Sequence, residues 1–359
     1  MNLAGLGIVF ARGRGVAALE RALEEGWRPP TPVAVRGLPP PGAAAYVVAP
    51  ETLTDKVLLA QARRADRCVK MAVLAAGDAL QDAGPCTAPV PARLGVIVSS
   101  ALGPHVTTFA FLDGLLEFGD AAASPTVFSH AIHGAAASYI AMTVKARGPS
   151  LTVTDFQAGF HRAVEIAGSW LAEDRCDAVL VGAVEEVGAV LSAVCARLLR
   201  PAADGRIKPF AFAPVPEAVP GEGSVFFLLT RETDGQSYAR LAVGDRLSPA
   251  GACDLQLCDA CGLARDESAW RAALAPDCPA AGYAPLFGST FASAAFHVAT
   301  AALMLKRQKR YACPDAFNPH GCALVRETAP AALQSVACLS LDCAGRSDVL
   351  HLAAVGRDS

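Results

Sequence analysis

Apolar, β-branched stretches alternate with amphipathic helical ones along this chain, and the alternation runs through twice. "LAGLGIVFA" at 3–11, "RLGVIVSSALG" at 93–103, "SLTVT" at 150–154, "CDAVLVGAVEEV" at 176–187 and "GSVFFLLTRE" at 223–232 read as strands. Helical stretches fall between them: "VAALERALEEG", "ADRCVKMAVLAAGDALQDAG" with apolar residues at i, i+3, i+4 and i+7, "HVTTFAFLDGLLEFG", and "HRAVEIAGSWLAE". "VFSHAIHGAAASYIAMTVKARG" reads as one long helix ended by glycine. After a change near residue 235 a shorter series follows. It comprises a strand in "YARLAVGDRLSP", the helix "RDESAWRAALA", a strand near "APLFGS", a helix from Phe291 to Arg307, and strands around "SVACLSLDC" and "DVLHLAAVG". Such alternation predicts an α/β fold whose mainly parallel sheet is covered on both faces. With 359 residues the chain exceeds the usual single domain, so two similar halves, 1–235 and 236–359, in one compact unit are expected.

Composition excludes several classes. Net charge is −3 with basic residues scattered, which gives no footprint for nucleic acid or an anionic membrane. The cluster "KRQKR" at 306–310 follows an apolar helix and reads as its solvated end. No apolar run reaches the ~18 residues of a membrane span; "FASAAFHVATAALML" carries Ser, His and Thr and reads as a buried helix. "MNLAGLGIVF" lacks a basic n-region and a cleavage site, so the twelve Cys are expected as free thiols in a cytoplasmic protein. "CDLQLCDAC" brings Cys253, Cys258 and Cys261 together but lacks a second pair or a nearby His, so no metal is expected. Gly5 and Gly7 sit inside a strand and do not form a dinucleotide fingerprint, so no cofactor is expected either.

The stretch "SLTVTDFQAGFH" at 150–161 carries the functional question. A strand turning sharply into a helix is where many α/β enzymes hold a nucleophile. Here Gly159 reads as the break, and the exposed position is Gln157, an amide that offers hydrogen bonds only.

The order of motifs resembles the β-ketoacyl synthases of the thiolase fold along nearly the whole chain. "LAGLGIVFARGRGVAALERALEEG" is similar to the family's opening strand and helix, and "ARGPSLTVTDFQAG" to its segment leading to a Cys nucleophile. "RCDAVLVGAVEE" resembles the next strand, "KPFAFAPVPEAVPGEGSVFFLL" the family's Gly-Glu-Gly strand, and "SAAFHVATAALMLKRQKRYACP" its C-terminal helix and proline turn. The resemblance implies a thiolase-like layered α-β-α-β-α architecture of two pseudo-repeated halves. It puts the nucleophile position on Gln157. The family's His-Gly-Thr-Gly-Thr loop corresponds to "LCDACGLARDESAW", with Cys258 at the His, and its Lys-Ser-x-x-Gly-His segment to "YAPLFGSTFASAA", with Gly288 at the His and Tyr283 at the Lys. "DCAGRS" stands for the Gly-Phe-Gly-Gly loop, without the gating Phe.

Without a thiolate there is no acyl-enzyme, and without either His an enolate loses donors worth ~3 kcal/mol each. "Gln-Ala-Gly" is similar to the chain length factor, the inactive partner subunit of bacterial type II polyketide synthases. That implies a heterodimer with an active ketosynthase, and acyl carrier protein reached through the complex. It places Leu151, Val153, Asp155 and Phe156 at the subunit interface. It also makes His105, Thr108 and Leu112, on one helix face, candidates for the acyl tunnel, although ordinary core packing accounts for the same stripe. The short length and lost loops resemble subunits of polyene-making systems such as those of aryl polyene pigments. Two rivals stand beside this reading: a stand-alone decarboxylase or acyltransferase using Cys258 or Gln157, and a homodimeric acyl-binding protein. His130 and His133 read as packing on a small-residue helix rather than as ligands or a base. Asp155 and His161 are a candidate polar pair, Glu222 a buried turn or interface carboxylate, and Trp170 and Phe156 core residues.

Overall fold

Ten strands carry the frame: β1 (Asn2–Phe10), β2 (Leu94–Ser99), β3 (Ser150–Val153), β4 (Ala178–Glu185), β5 (Gly223–Thr230), β6 (Ala239–Val243), β7 (Leu255–Cys258), β8 (Ala280–Ala281), β9 (Ser335–Leu341) and β10 (Ser347–Ala353). The computed structural model describes the chain except residues 34–42, 86–90, 213–216, 232–235, 245–252, 264–266, 342–344 and 357–359. The strands lie in the order β8-β7-β9-β10-β6-β1-β5-β4-β2-β3, with the short strand Gly13–Arg14 paired to β1. Counted outward from the middle, β1 to β5 stand in the order 1-5-4-2-3, and β6 to β10 repeat it. In both sets the first strand meets the fifth antiparallel, the fifth meets the fourth antiparallel, and the other two pairs are parallel. The two sets join where β1 and β6 pair antiparallel at Asn2 with Arg240 and Leu3 with Ala239.

The expected mainly parallel sheet is therefore mixed, because the fifth strand of each set runs against the other four. For β10 the cause is chain length: Leu341 pairs with Ser347, and so short a link has no room for the crossover a parallel return needs.

The helices are α1 (Val16–Glu25), α2 (Arg67–Ala83), α3 (His105–Phe118), α4 (Pro125–His130), α5 (Ala135–Val144), α6 (Gly159–Ala172), α7 (Ala189–Leu198), α8 (Glu267–Ala273), α9 (Ala284–Phe287) and α10 (Ser293–Arg307). Strand residues alternate between faces. Val179 and Val181 of β4 point to a core shared with Phe160 and Val164 of α6, Phe296 and Leu303 of α10, and Leu255 and Leu257 of β7. Leu180 and Val184 point the other way, to α2 and α5. Ala337 and Leu339 of β9 face Trp270 of α8. The result is the layered α-β-α-β-α arrangement, with α6 and α10 in the middle. Strands covered on both faces need apolar residues throughout, which is why they read as unbroken hydrophobic runs.

Two local readings change. The long helix expected before Gly148 is two, α4 and α5, parted at 131–134. Ser124 caps α4 by accepting from Val127 N (3.4 Å) with Pro125 in the first turn, and α5 ends on Lys145 in the left-handed region (φ 57°), not on a glycine. "APLF" is the helical turn α9, with Pro285 in its first turn and Gly288 closing it, and the strand lies earlier, at β8. Among the described residues no helix is long and apolar enough to cross a membrane.

Candidate functional site

β3 ends at Val153, and the single turn Phe156–Ala158 leads into α6. The sharpness of the corner resides in Phe156, whose φ of 21° lies at the margin of the left-handed region. Such a backbone costs on the order of 1–3 kcal/mol, which the packing around it supplies. Gly159 does not break the strand; it is helical (φ −56°, ψ −42°). It is there for space, because a Cβ at that position would stand 2.6 Å from Ser99 Oγ. The Phe156 ring is not in the core: it is 53% exposed and lies against Phe291, with centroids 5.4 Å apart.

Gln157 borders a cavity of about 10 Å³, whose polar lining is completed by Asp259, Cys261, Thr290 and Ser293. Trp270, Phe291 and Leu341 supply the apolar walls. This is room for about one water and for no acyl chain. The Gln157 carbonyl oxygen is buried with no hydrogen-bond partner among the described residues. Burial pushes the Asp259 carboxyl up to about 7, with a Ser340 hydrogen bond acting against it. Burial likewise pushes the Cys261 thiol up to about 12, so it stays a thiol at neutral pH and is a poor nucleophile.

Neither residue given by the sequence register for the family's histidines faces this cavity. Cys258 is the last residue of β7, fully buried in the cluster with Phe210, Trp270 and Leu339, and burial drives its thiol well above the ordinary range. Gly288 closes α9 against Gly221 and Tyr46. The residues that share the cavity with Gln157 come a few positions later, at Cys261 and Thr290. A usable signal was the Cys261–Gly262 pair, which has the His-Gly order of the family loop; Gly262 takes φ 85° there. Tyr283 is buried, and its hydroxyl donates to the Tyr311 carbonyl (2.6 Å). His297 of α10 also lies close by in the fold but is held by backbone: its Nε2 accepts from Tyr283 N (3.0 Å) and its Nδ1 meets Ser293 O (2.8 Å). Burial lowers it to about 4, so it is neutral and fixed. The Gly-Phe-Gly-Gly counterpart begins at 342–344, outside the described residues.

The remaining candidates lie away from this cavity. His105 is buried at the start of α3, its Nδ1 3.8 Å from Glu186, and burial lowers it. Thr108 donates to Pro104 O and Ala131 O, tying α3 to the turn after α4, and Leu112 is 45% exposed. His130 meets Tyr139 Oη (2.9 Å), and His133 is exposed beside Gly103. Asp155 lies 3.7 Å from Arg162, the partner found for it, and His161 is buried. Glu222 is fully buried, accepts from Val48 N and Val187 N, and pairs with Arg67. Trp170 is buried in the core as expected. Among the described residues no group of three or more His, Cys, Asp or Glu could hold a metal.

Among the described residues β3 is the last strand of the sheet, with β2 as its one neighbour. Leu151 of β3, Phe156 just after it and Met142 of the adjoining α5 expose apolar side chains, as do Phe128 and Ile132 at the end of α4 and Leu116 and Phe118 on α3. An unpaired edge beside apolar side chains is a template for another chain.

The family model for the β-ketoacyl synthase N-terminal domain matches residues 3–235. No curated protein sequence matches the chain. Among solved structures, the ishigamide ketosynthase/chain length factor superposes with a TM-score of 0.82 at 20% identity, covering 99% of both chains. A β-ketoacyl synthase from Burkholderia phymatum gives 0.81 at 16% identity over the same shares. A type II polyketide synthase acyl carrier protein in complex with its ketosynthase gives 0.80 at 17%, again over 99% of each chain.

Proposed function

Because the chain belongs to the β-ketoacyl synthase family, we propose that it is a non-condensing, chain-length-factor-like subunit. It pairs through β3 and the α3–α5 face with a Cys-bearing ketosynthase, and receives acyl carrier protein through that complex. Residues 1–235 and 236–359 act in it as two halves of one unit in the cytoplasm. Leu151, Val153, Asp155 and Phe156 lie in the contact, and His105, Thr108 and Leu112 border the path of the growing chain. The product class is a type II polyketide or a polyene of the aryl polyene kind.

The observation that carries the reading is the corner itself. It keeps its turn, presents an amide, and opens on a space of about 10 Å³ that admits no acyl group. A stand-alone acyltransferase finds no support, since Cys258 and Cys261 are both buried thiols with raised pKa. The exposed apolar edge favours a permanent partner, because obligate interfaces resemble a core cut in half.

The test is the native mass of the protein drawn gently from its own cells, followed by malonyl-carrier turnover of the isolated chain. A one-to-one complex with a Cys-bearing ketosynthase, and no turnover by the chain alone, is expected. A stable homodimer, or turnover abolished by Gln157→Ala, would overturn the reading.

A further inference from the structure

We infer that Cys253 and Cys278 form a reversible disulfide that ties β7 to the edge strand β8 of the second half and braces the wall beside Gln157. The two thiols are brought together by backbone, not by chance contact of long side chains. β7 and β8 are parallel neighbours, with Gln256 opposite Ala280. Cys253 stands two residues before β7 and Cys278 two residues before β8, so both sulfurs arrive at the same end of the pair. Gln256 fixes the approach: its amide donates to Cys278 O (2.9 Å) and Ala275 O (2.7 Å), and its carbonyl accepts from Ala275 N (3.0 Å). The sulfurs lie 3.3 Å apart, and the Cys278 thiol also donates to Cys253 O (3.1 Å). Both residues are half-buried, so a small disulfide reaches them, unlike Cys258 and Cys261.

The chemistry balances with a low-molecular-weight disulfide, such as glutathione disulfide, as oxidant. One thiol of the pair loses its proton to solvent, and its thiolate attacks a glutathione sulfur. A mixed disulfide forms and one glutathione thiolate leaves. The second thiol then deprotonates and attacks the protein sulfur of that mixed disulfide; the second glutathione leaves, and both leaving thiolates are reprotonated. Burial and the neighbouring Cys253 push the Cys278 thiol up to about 12, so exchange is slow at neutral pH and faster in mild alkali.

The bond would close a loop over residues 254–277. That loop holds Asp259, Cys261 and Trp270, three of the residues around the cavity beside Gln157. Closing it restricts the unfolded chain and holds β7, and the residues just after it, against β8. This brace requires no partner subunit and stands whether or not the chain is a chain length factor.

The purified full chain, equilibrated in glutathione disulfide at mildly alkaline pH, tests it by alkylation, intact mass and peptide mapping. The expected result is the loss of two hydrogens from the mass and a linked peptide joining Cys253 to Cys278. A rise in Tm of roughly 5 °C, reversed by dithiothreitol, is expected with it. In Cys253→Ser both effects disappear; should that variant misfold, Cys278→Ala and the wild-type peptide map give the same answer. Both thiols still alkylatable after oxidation, or a link to Cys338 of the adjoining β9 instead, would overturn the pair. A Cys253–Cys278 bond that leaves Tm unmoved would overturn the brace.

Discussion

Two glutamates at the end of β4 and the amide at the corner show how much a single side chain decides here. Glu185 accepts from Ala101 N and Leu102 N, while Glu186, buried, accepts from Val106 N at the start of α3. Burial raises both carboxyls to about 8. A carboxyl raised in the folded chain holds its proton there more tightly than in the unfolded one. Its contribution to stability is whole below the ordinary pKa near 4.5 and is lost as pH rises through 8. Stability should therefore fall between pH 5 and pH 8, by about 1.4 kcal/mol for each unit crossed per group at most. Glu186→Gln, neutral throughout, should roughly halve the fall of the urea midpoint across that range, Glu185 keeping the rest, and an unchanged slope would show that Glu186 is already ionised in the fold. The corner gives a second prediction. Gln157→Cys restores a thiol but neither a histidine nor acyl room, so incubation with an acyl carrier protein substrate should leave its mass unchanged; an acyl adduct would mean that the cavity opens.

The elements depend on how closely they can approach. α2 lies across β1 with Ala75 and Ala79 toward it, and Gly7 sits so tightly beneath that a Cβ would overlap the Ala75 carbonyl oxygen. Gly7→Ala should cost about 3 kcal/mol or more, read as a lowered denaturation midpoint, because neither partner is a flexible side-chain end. Asp66 secures the other end of the contact: Oδ1 caps α2 at Val69 N (2.8 Å) and Oδ2 takes the Thr107 hydroxyl of α3 (3.1 Å). Most elements were legible in the sequence because strands buried on both faces and helices buried on one leave distinct apolar patterns. Strand direction was not, since a strand reads alike whichever way it enters the sheet. The break at 131–134 was hidden because Ala131 and Ile132 carry the apolar pattern into it and Ala135–Ala137 resume it, so that only Ser124–Pro125 marked a start. At the candidate site the corner residue Gln157 was legible from the strand and helix around it. The residues that meet it were not. Cys258 is still inside β7 and is held to the α8 side, so the cavity falls to residues beyond the strand end, Asp259 and Cys261. Which residue follows a strand end is a matter of loop path, not of local pattern.

At the scale of the molecule, what is buried and what is left open point in one direction. Trp270, Phe291 and Leu341 wall a cavity of about 10 Å³ beside Gln157, and among the described residues the sheet ends in an open strand flanked by exposed apolar side chains. A monomer exposing such a face invites aggregation, and among the described residues no strand pairs with β3 on its outer side. The proposed partner resolves both facts, because pairing hides the edge while the chemistry is left to the other subunit. Leu116 separates assembly from folding. At 87% exposure its substitution removes almost no contact within the chain, so Leu116→Glu should leave the urea midpoint within about 0.5 kcal/mol of the parent. If α3 lies in the contact, a carboxylate buried there unpaired should weaken the complex tenfold or more, with both subunits recovered separately in native mass measurements. Phe317→Ser, on the second half and 51% exposed, should leave the complex intact. Equal loss from both variants would point to general insolubility, and loss from neither would move the contact away from α3 and back to the β3 edge alone.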